Sequence, residues 1–225
     1  MNTYPYTVLD GHMIVTDDQK RYLVDTGAPS SISKEPVLNF AGMAAELPDR
    51  YLGINLGALG KNVGCELDAL IGVDILNQFD VLIDPAAGNI HFAGEILTLT
   101  SEPVAIDNFR GIPVILAAID GKAMRLFFDT GAKISYLAFE ITSAYQADGK
   151  VEDFYPDFGV FSTETYTLPL KIGSQIFDLC FGNLPEMLEA TLMAANVQGI
   201  LGTELLEKHR LLYSARRSQI CIEKF

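Results

Sequence analysis

The chain has 225 residues, 49% of them hydrophobic and 20% charged, a globular balance that excludes a disordered chain or a coiled coil. Its longest apolar run, residues 112–119, is less than half of what a bilayer requires, so a membrane-spanning helix is excluded too. The 29 acidic residues against 16 basic ones leave a net charge of −13, which repels phosphate backbones and argues against a nucleic-acid partner.

In chain order, residues 12–16 and 21–24 are apolar runs flanking Asp17-Asp18-Gln19-Lys20, the pattern of a hairpin. The second run, Tyr22-Leu23-Val24, is a buried strand leading straight into Asp25-Thr26-Gly27-Ala28, where Gly27 permits a tight loop. The stretch 33–56 offers little for a long hairpin at Phe40-Ala41-Gly42-Met43. Leu70-Ile71-Gly72-Val73-Asp74-Ile75-Leu76 then opens a short helix over 73–79, and a hairpin turning at Pro85-Ala86-Ala87-Gly88 closes the segment.

The order then begins again. Residues 113–119 and 124–128 flank Asp120-Gly121, a dipeptide suited to a type I′ turn. Leu126-Phe127-Phe128 runs into Asp129-Thr130-Gly131-Ala132, at an offset of 129 − 25 = 104. Helices are predicted over 139–147 and 185–197, the second plainly amphipathic. Between them, 151–155 and 160–170 flank a turn at Pro156-Asp157-Phe158-Gly159. Ile200-Leu201-Gly202-Thr203-Glu204-Leu205-Leu206 repeats the earlier Leu-Gly segment at 202 − 72 = 130. The same offset carries Val81-Leu82-Ile83 onto Leu211-Leu212-Tyr213 and Ile90-His91-Phe92 onto Ile220-Cys221-Ile222. A short helix over 203–209 and a hairpin turning at Ala215-Arg216-Arg217-Ser218 complete the copy.

A given tetrapeptide arises by accident in roughly one such chain in a few hundred, so two copies, each followed by the same apolar-Gly segment, mark a true internal repeat. Two internally consistent offsets imply one insertion of 130 − 104 = 26 residues, between the DTGA and Leu-Gly segments of the second copy. The division that follows is 1–100 and 101–225.

Two loops, each presenting one carboxylate from a buried strand end, bring Asp25 and Asp129 together if the halves pack about a pseudo-twofold axis. Two carboxylates a few ångströms apart cannot both ionise and so share a proton. One then acts as base on a water held between them while the other protonates a substrate carbonyl, the outfit for amide hydrolysis with no covalent intermediate and no cofactor. Thr26 and Thr130 suit bracing across the axis better than nucleophilic attack, since no base lies near them in sequence.

Hydrophobic-hydrophobic-Asp-Thr-Gly-Ala followed by Leu/Ile-Gly-x-Asp/Glu-Leu/Ile-Leu resembles the retropepsin-like aspartic proteases, and the duplicated layout resembles a miniature pepsin. The resemblance covers nearly the whole chain. It implies an all-β fold of two pseudosymmetric lobes with a central cleft, a catalytic dyad of Asp25 and Asp129, and an interlocked contact of Thr26 with Thr130. It further implies that Gly27 and Gly131 offer backbone groups to a bound peptide, within active-site loops that also include Ala28 and Ala132. The shared-proton dyad belongs to that family's known chemistry. Many retropepsins pair an Asp directly after DTGA with an Arg after the later Gly, across their dimer. This chain has Pro29 and Lys133 at the first place and Val73 and Thr203 at the second, and covalent linkage of the halves removes much of the need for that pair.

The 26 extra residues are assigned to a flap hairpin, with Phe154, Tyr155, Phe158 and Phe161 about its tip to grip apolar side chains. His12, His91 and His209 have no metal-ligand spacing, and Cys65, Cys180 and Cys221 are too widely spaced for a zinc site, though one disulfide pair is left open. No cationic and apolar leader precedes the first strand, so the expected location is cytoplasmic, and two halves in one chain imply a monomer. The function expected is an aspartic endopeptidase acting on peptide or protein substrates. The alternatives are a catalytically weak peptide-binding module of the same fold and, without specific support, a scaffold assembling through its sheets.

Overall fold

Strands dominate because apolar and β-branched runs alternate with Gly, Asp and Asn turns along most of the chain. The computed structural model describes residues 1–155 and 159–225; the expected turn residues Pro156, Asp157 and Phe158 lie outside the described residues. The first half contains β1 (Asn2–Leu9), β2 (His12–Asp17), β3 (Lys20–Val24) and β4 (Ile32–Ser33). Two small hairpins follow, β5 (Val37–Phe40) with β6 (Met43–Glu46) and β7 (Arg50–Tyr51) with β8 (Ile54–Asn55). Then come α1 (Leu56–Val63), β9 (Ala69–Ile71), α2 (Val73–Leu76), β10 (Asp80–Asp84) and β11 (Asn89–Ala93).

The second half contains β12 (Val104–Phe109), β13 (Ile112–Ile119), β14 (Lys122–Phe128), β15 (Ser135–Leu137) and the single turn α3 (Phe139–Thr142). The region lengthened by the insertion contains β16 (Gly149–Tyr155), β17 (Gly159–Ile172) and β18 (Gln175–Asn183). It is followed by α4 (Glu186–Ala194), β19 (Gly199–Leu201), a 3-10 turn at Thr203–Glu207, β20 (His209–Ser214) and β21 (Gln219–Lys224). The helix expected over 139–147 thus stops at Thr142, and the one over 203–209 is a 3-10 turn. No described helix is long and apolar enough to cross a membrane.

Equivalent strands pair equivalently. β3 runs parallel to β9 with Val24 opposite Ile71, as β14 does to β19 with Phe128 opposite Leu201. β4 pairs antiparallel with β9 through Ile32 and Leu70, as β15 does with β19 through Tyr136 and Ile200. The hairpins β1–β2 and β12–β13 match at a third offset: Tyr6 opposite Val15 becomes Ile106 opposite Ile115, and 106 − 6 = 115 − 15 = 100. Four further residues therefore enter at the second half's next hairpin, where Asp120 (φ 49) and Gly121 (φ 76) form the expected left-handed turn.

One six-stranded sheet, β1-β11-β10-β20-β21-β12, joins the halves. The strands that carry DTGA bury consecutive residues because both their faces are covered. Tyr22, Val24, Leu126 and Phe128 enter one core shared by the two halves. Leu23 enters a separate aliphatic cluster of the first half, and Phe127 a cluster with Tyr136, Leu188 and Ile200 in the second.

Candidate active site

The parallel pairings fix where each aspartate emerges. Asp25 N–H donates to Ile71 O at 3.0 Å and Asp129 N–H to Leu201 O at 2.9 Å, after which each chain turns back. The turn is held by the carboxylate itself. Asp25 Oδ1 accepts from Gly27 N and Ala28 N at 2.8 and 3.0 Å, and Asp129 Oδ1 accepts from Gly131 N at 2.8 Å. The Leu-Gly segments dock on these turns: Val73 N donates to Ala28 O at 2.9 Å and Thr203 N to Ala132 O at 3.1 Å. Ser31 and Ser135, each six residues after its aspartate (31 − 25 = 135 − 129), accept from Gly72 N and Gly202 N at 2.8 and 3.1 Å. The two serines obey the offset of 104, the signal in the repeat that marks them as equivalent.

The two loops interlock. Thr26 N donates to Thr130 Oγ1 at 3.0 Å and Thr130 N to Thr26 Oγ1 at 3.0 Å. Each hydroxyl then donates onward to the opposite strand, Thr26 to Phe128 O at 2.7 Å and Thr130 to Val24 O at 2.9 Å. Both threonines are buried, so all four bonds are shielded from water. Glycine is required beside them, because a Cβ at Gly131 would lie 2.6 Å from Asp25 Cγ, and one at Gly27 would collide with the Asp129 carboxyl.

That close approach sets each carboxyl against the other loop's glycine, Asp129 beside Gly27 and Asp25 beside Gly131, and places the two acids within reach of each other's charge. Burial raises the pKa of both. For Asp25 the neighbouring Asp129 carboxyl pushes further up, against the N–H groups of Gly27 and Ala28. For Asp129 the Gly131 N–H, the Asp25 carboxyl and the field of His12 pull back without cancelling the rise. Two buried carboxyls so placed favour sharing one proton over both ionising. His12, read from sequence as an ordinary surface or core residue, stands at the start of β2, where its ring meets Asp10 O at 2.9 Å and its charge reaches Asp129.

The first turn of each half docks on the other half. Lys133 forms an ion pair with Asp10, and Thr203 Oγ1 donates to Gly11 O at 2.8 Å. Reciprocally, Asn77 Nδ2 donates to Gly111 O at 3.0 Å. Covalent linkage has therefore not dispensed with a charged contact at this place; Lys133 makes one with a different partner. Of the expected flap residues, Phe154 and Tyr155 end β16, and Phe161 of β17 lies against Tyr136 with ring centroids 6.2 Å apart. Phe158 lies outside the described residues.

No family model and no curated protein matches the chain. Among solved structures it is similar to a retropepsin-like aspartic protease from Rickettsia conorii, with TM-score 0.40 and 16% identity over 57% of this chain and 97% of that one. It is also similar to the simian foamy virus (mac) protease in solution, with TM-score 0.32 and 15% identity over 42% of this chain and 97% of that one.

Proposed function

We propose that the chain is an aspartic endopeptidase made of two retropepsin-like lobes, 1–100 and 101–225, acting as a monomer. The observation that carries this reading is the placing of Asp25 and Asp129, each buried carboxyl against the other loop's glycine, at the meeting of two interlocked loops. A pair forced together in this way costs desolvation and like-charge repulsion, which a purely structural turn would avoid by using asparagine.

In the reaction, a water between the carboxyls loses a proton to the ionised member, and its oxygen attacks the peptide carbonyl carbon. The protonated member gives its proton to the carbonyl oxygen, producing a neutral gem-diol. Collapse of that diol breaks the C–N bond as a proton passes to the leaving nitrogen, and the dyad returns to its singly protonated state. Thr26 and Thr130 keep the carboxyls in register. The flap aromatics Phe154, Tyr155, Phe158 and Phe161 close over apolar side chains of an extended peptide.

Incubation with a pool of random peptides, read by mass spectrometry, tests the reading. New termini are expected with the wild-type chain and not with Asp25→Asn. Peptides retained by the wild type but never cut would identify a binding module instead.

A further inference from the structure

The hairpin built by β16 and the first half of β17 leaves the body of the protein as a two-stranded ribbon. β16 pairs with β17 alone, from Gly149 opposite Thr165 to Tyr155 opposite Gly159. β17 gains its other partner β18 only from Tyr166 onward, and β13 only at Lys171 and Ile172. A ribbon of two strands is marginal on its own, so side-chain ties set where 149–155 and 159–165 lie.

Those ties climb the ribbon. At the root, Asp148 accepts from Thr167 N at 2.8 Å and from the Thr165 hydroxyl at 3.4 Å. Midway, Thr163 Oγ1 accepts from Asn183 N at 2.8 Å. Higher still is a rung formed by Asp153 and Phe161, which oppose each other in the ladder and both meet Tyr136. The Tyr136 hydroxyl donates to Asp153 Oδ2, and its ring lies against Phe161. Asp153 Oδ1 accepts from Phe154 N at 2.7 Å, which orients the carboxylate for the phenol.

Tyr136 is placed to act as an anchor. It is 3% exposed and clamped in β15 between Gly182 of β18 and Ile200 of β19. It stands 136 − 129 = 7 residues beyond Asp129, close enough that the Asp129 charge, after burial and Asp153, helps to push its phenol up. Its equivalent in the first half, at 136 − 104 = 32, is Ile32, which has no hydroxyl.

We propose that the Tyr136–Asp153 hydrogen bond is a latch holding the ribbon strands 149–155 and 159–165 against β15, the strand that follows the Asp129 loop, which makes Tyr136 a positioning residue for the lid of the active site. The inference rests on the protease reading for what the lid covers, but the latch itself is read without turnover. Opening it breaks a charge-assisted bond and leaves the buried Tyr136 hydroxyl without its acceptor, so lifting the ribbon becomes rarer by about ten- to a hundredfold than without the bond.

Hydrogen exchange of the free protein tests it with Tyr136→Phe, Asp153→Ala and Asp153→Asn. Exchange across 149–155 and 159–165 is expected to rise about tenfold or more in the first two. It should rise less in Asp153→Asn, which keeps an acceptor, and the Tyr136→Phe/Asp153→Ala double variant should go no further than either single. The amides of β15 and β19 should stay as protected as in the wild type, because phenylalanine keeps the ring in place. On a cleavable peptide, the same variants should raise KM with kcat little changed, the signature of lost uniform binding. Unchanged ribbon exchange in both Tyr136→Phe and Asp153→Ala, or a rise spread equally over β15 and β19, overturns the latch. Absence of any turnover in the wild type would sink the protease reading and leave the exchange result to decide the latch.

Discussion

Leu82 of β10 lies directly opposite Leu212 of β20, and the two are also equivalent positions of the repeat, since 212 − 82 = 130. In an antiparallel ladder only one rung can pair a residue with its own counterpart, and that rung marks a twofold axis. Thr26 and Thr130, equivalent at 130 − 26 = 104, meet across the same relation and exchange identical bonds. The joining sheet and the aspartate loops are therefore organised about one symmetry.

The threonine lock should behave as one unit. Thr26→Ala or Thr130→Ala leaves buried N–H and C=O groups without partners and is expected to cost about 1–3 kcal/mol. The double variant should cost clearly less than the sum, because each single change already breaks bonds the other shares. Urea unfolding of the four proteins measures this, and strict additivity would mean that the two loops are independent. Serine at either position keeps the hydroxyl and should restore most of the loss.

The dyad makes opposite demands on activity and stability. Asp25→Asn or Asp129→Asn should lower peptide cleavage by at least about a thousandfold, since either removes the acid–base pairing. Both carboxyls are raised in the folded protein, so above the ordinary aspartate range of about 4 the native state binds more protons than the unfolded chain. Their contribution to stability is fully present below that range and is lost as pH rises through the folded values. Each asparagine variant should therefore melt higher than the wild type at neutral pH, with the gap closing towards about pH 4. Ala28 and Ala132 offer no hydroxyl to stabilise the charged form, so activity should extend to mildly acidic or near-neutral pH. A profile peaking near about pH 2 with nothing left near about pH 5 would contradict this.

The sites most legible in the sequence are those where the backbone itself imposes a residue. Gly131 must be glycine against Asp25, and Gly202 against Ile134 O, where a Cβ would sit 2.5 Å away, so both motifs survive in both halves. What escaped notice depends on partners brought together only by folding. The turns Asp10-Gly11 and Arg110-Gly111 share an offset of 100, masked in sequence by the longer hairpin that follows. Lys133 has no visible partner until Asp10 arrives from the other half, and His12 has no metal-type spacing to draw attention. The helix expected over 139–147 is shorter in the structure because apolar spacing cannot report that the chain after Thr142 turns to root the β16 strand.

A second joint between the halves lies far from the aspartates in sequence. Asp80 is fully buried and accepts from Ser214 Oγ at 2.6 Å, Arg216 Nη2 at 2.8 Å and Arg217 Nη2 at 2.6 Å. Burial alone would raise its pKa, but the Ser214 hydroxyl, the Leu97 N–H and the arginines bring it below the usual value. Its stabilising contribution is thus present above the unfolded value and is lost as pH falls through the folded one. Asp80→Ala should cost about 2–4 kcal/mol at neutral pH, less than for a wholly buried pair because Arg216 and Arg217 stay 35% and 24% exposed. The deficit should shrink on acidification. A loss under about 0.5 kcal/mol by urea unfolding would show the cluster to be incidental.

The lid should belong to the second half alone. The nearest first-half counterpart, the hairpin β5–β6, has four-residue strands and is pinned by its own side chains. Phe40 is 1% exposed, stacks on Tyr4 at 5.4 Å and meets Phe92 edge-on at 4.8 Å, while Leu38 is also buried. Lifting that hairpin would expose a core aromatic, which costs about 3–5 kcal/mol when such a side chain is deleted outright. The ribbon strands 149–155 and 159–165 instead leave their sheet and keep Tyr155 40% and Val160 70% exposed, so lifting them has the Tyr136–Asp153 latch to break rather than a fully buried aromatic to pull out. A statine-type inhibitor, whose hydroxyl takes the place of the attacking water, should therefore slow exchange at 149–155 and 159–165 strongly and at 37–46 hardly at all. Equal protection of the two stretches would mean that β5–β6 also closes on substrate, and that the 26-residue insertion serves another purpose.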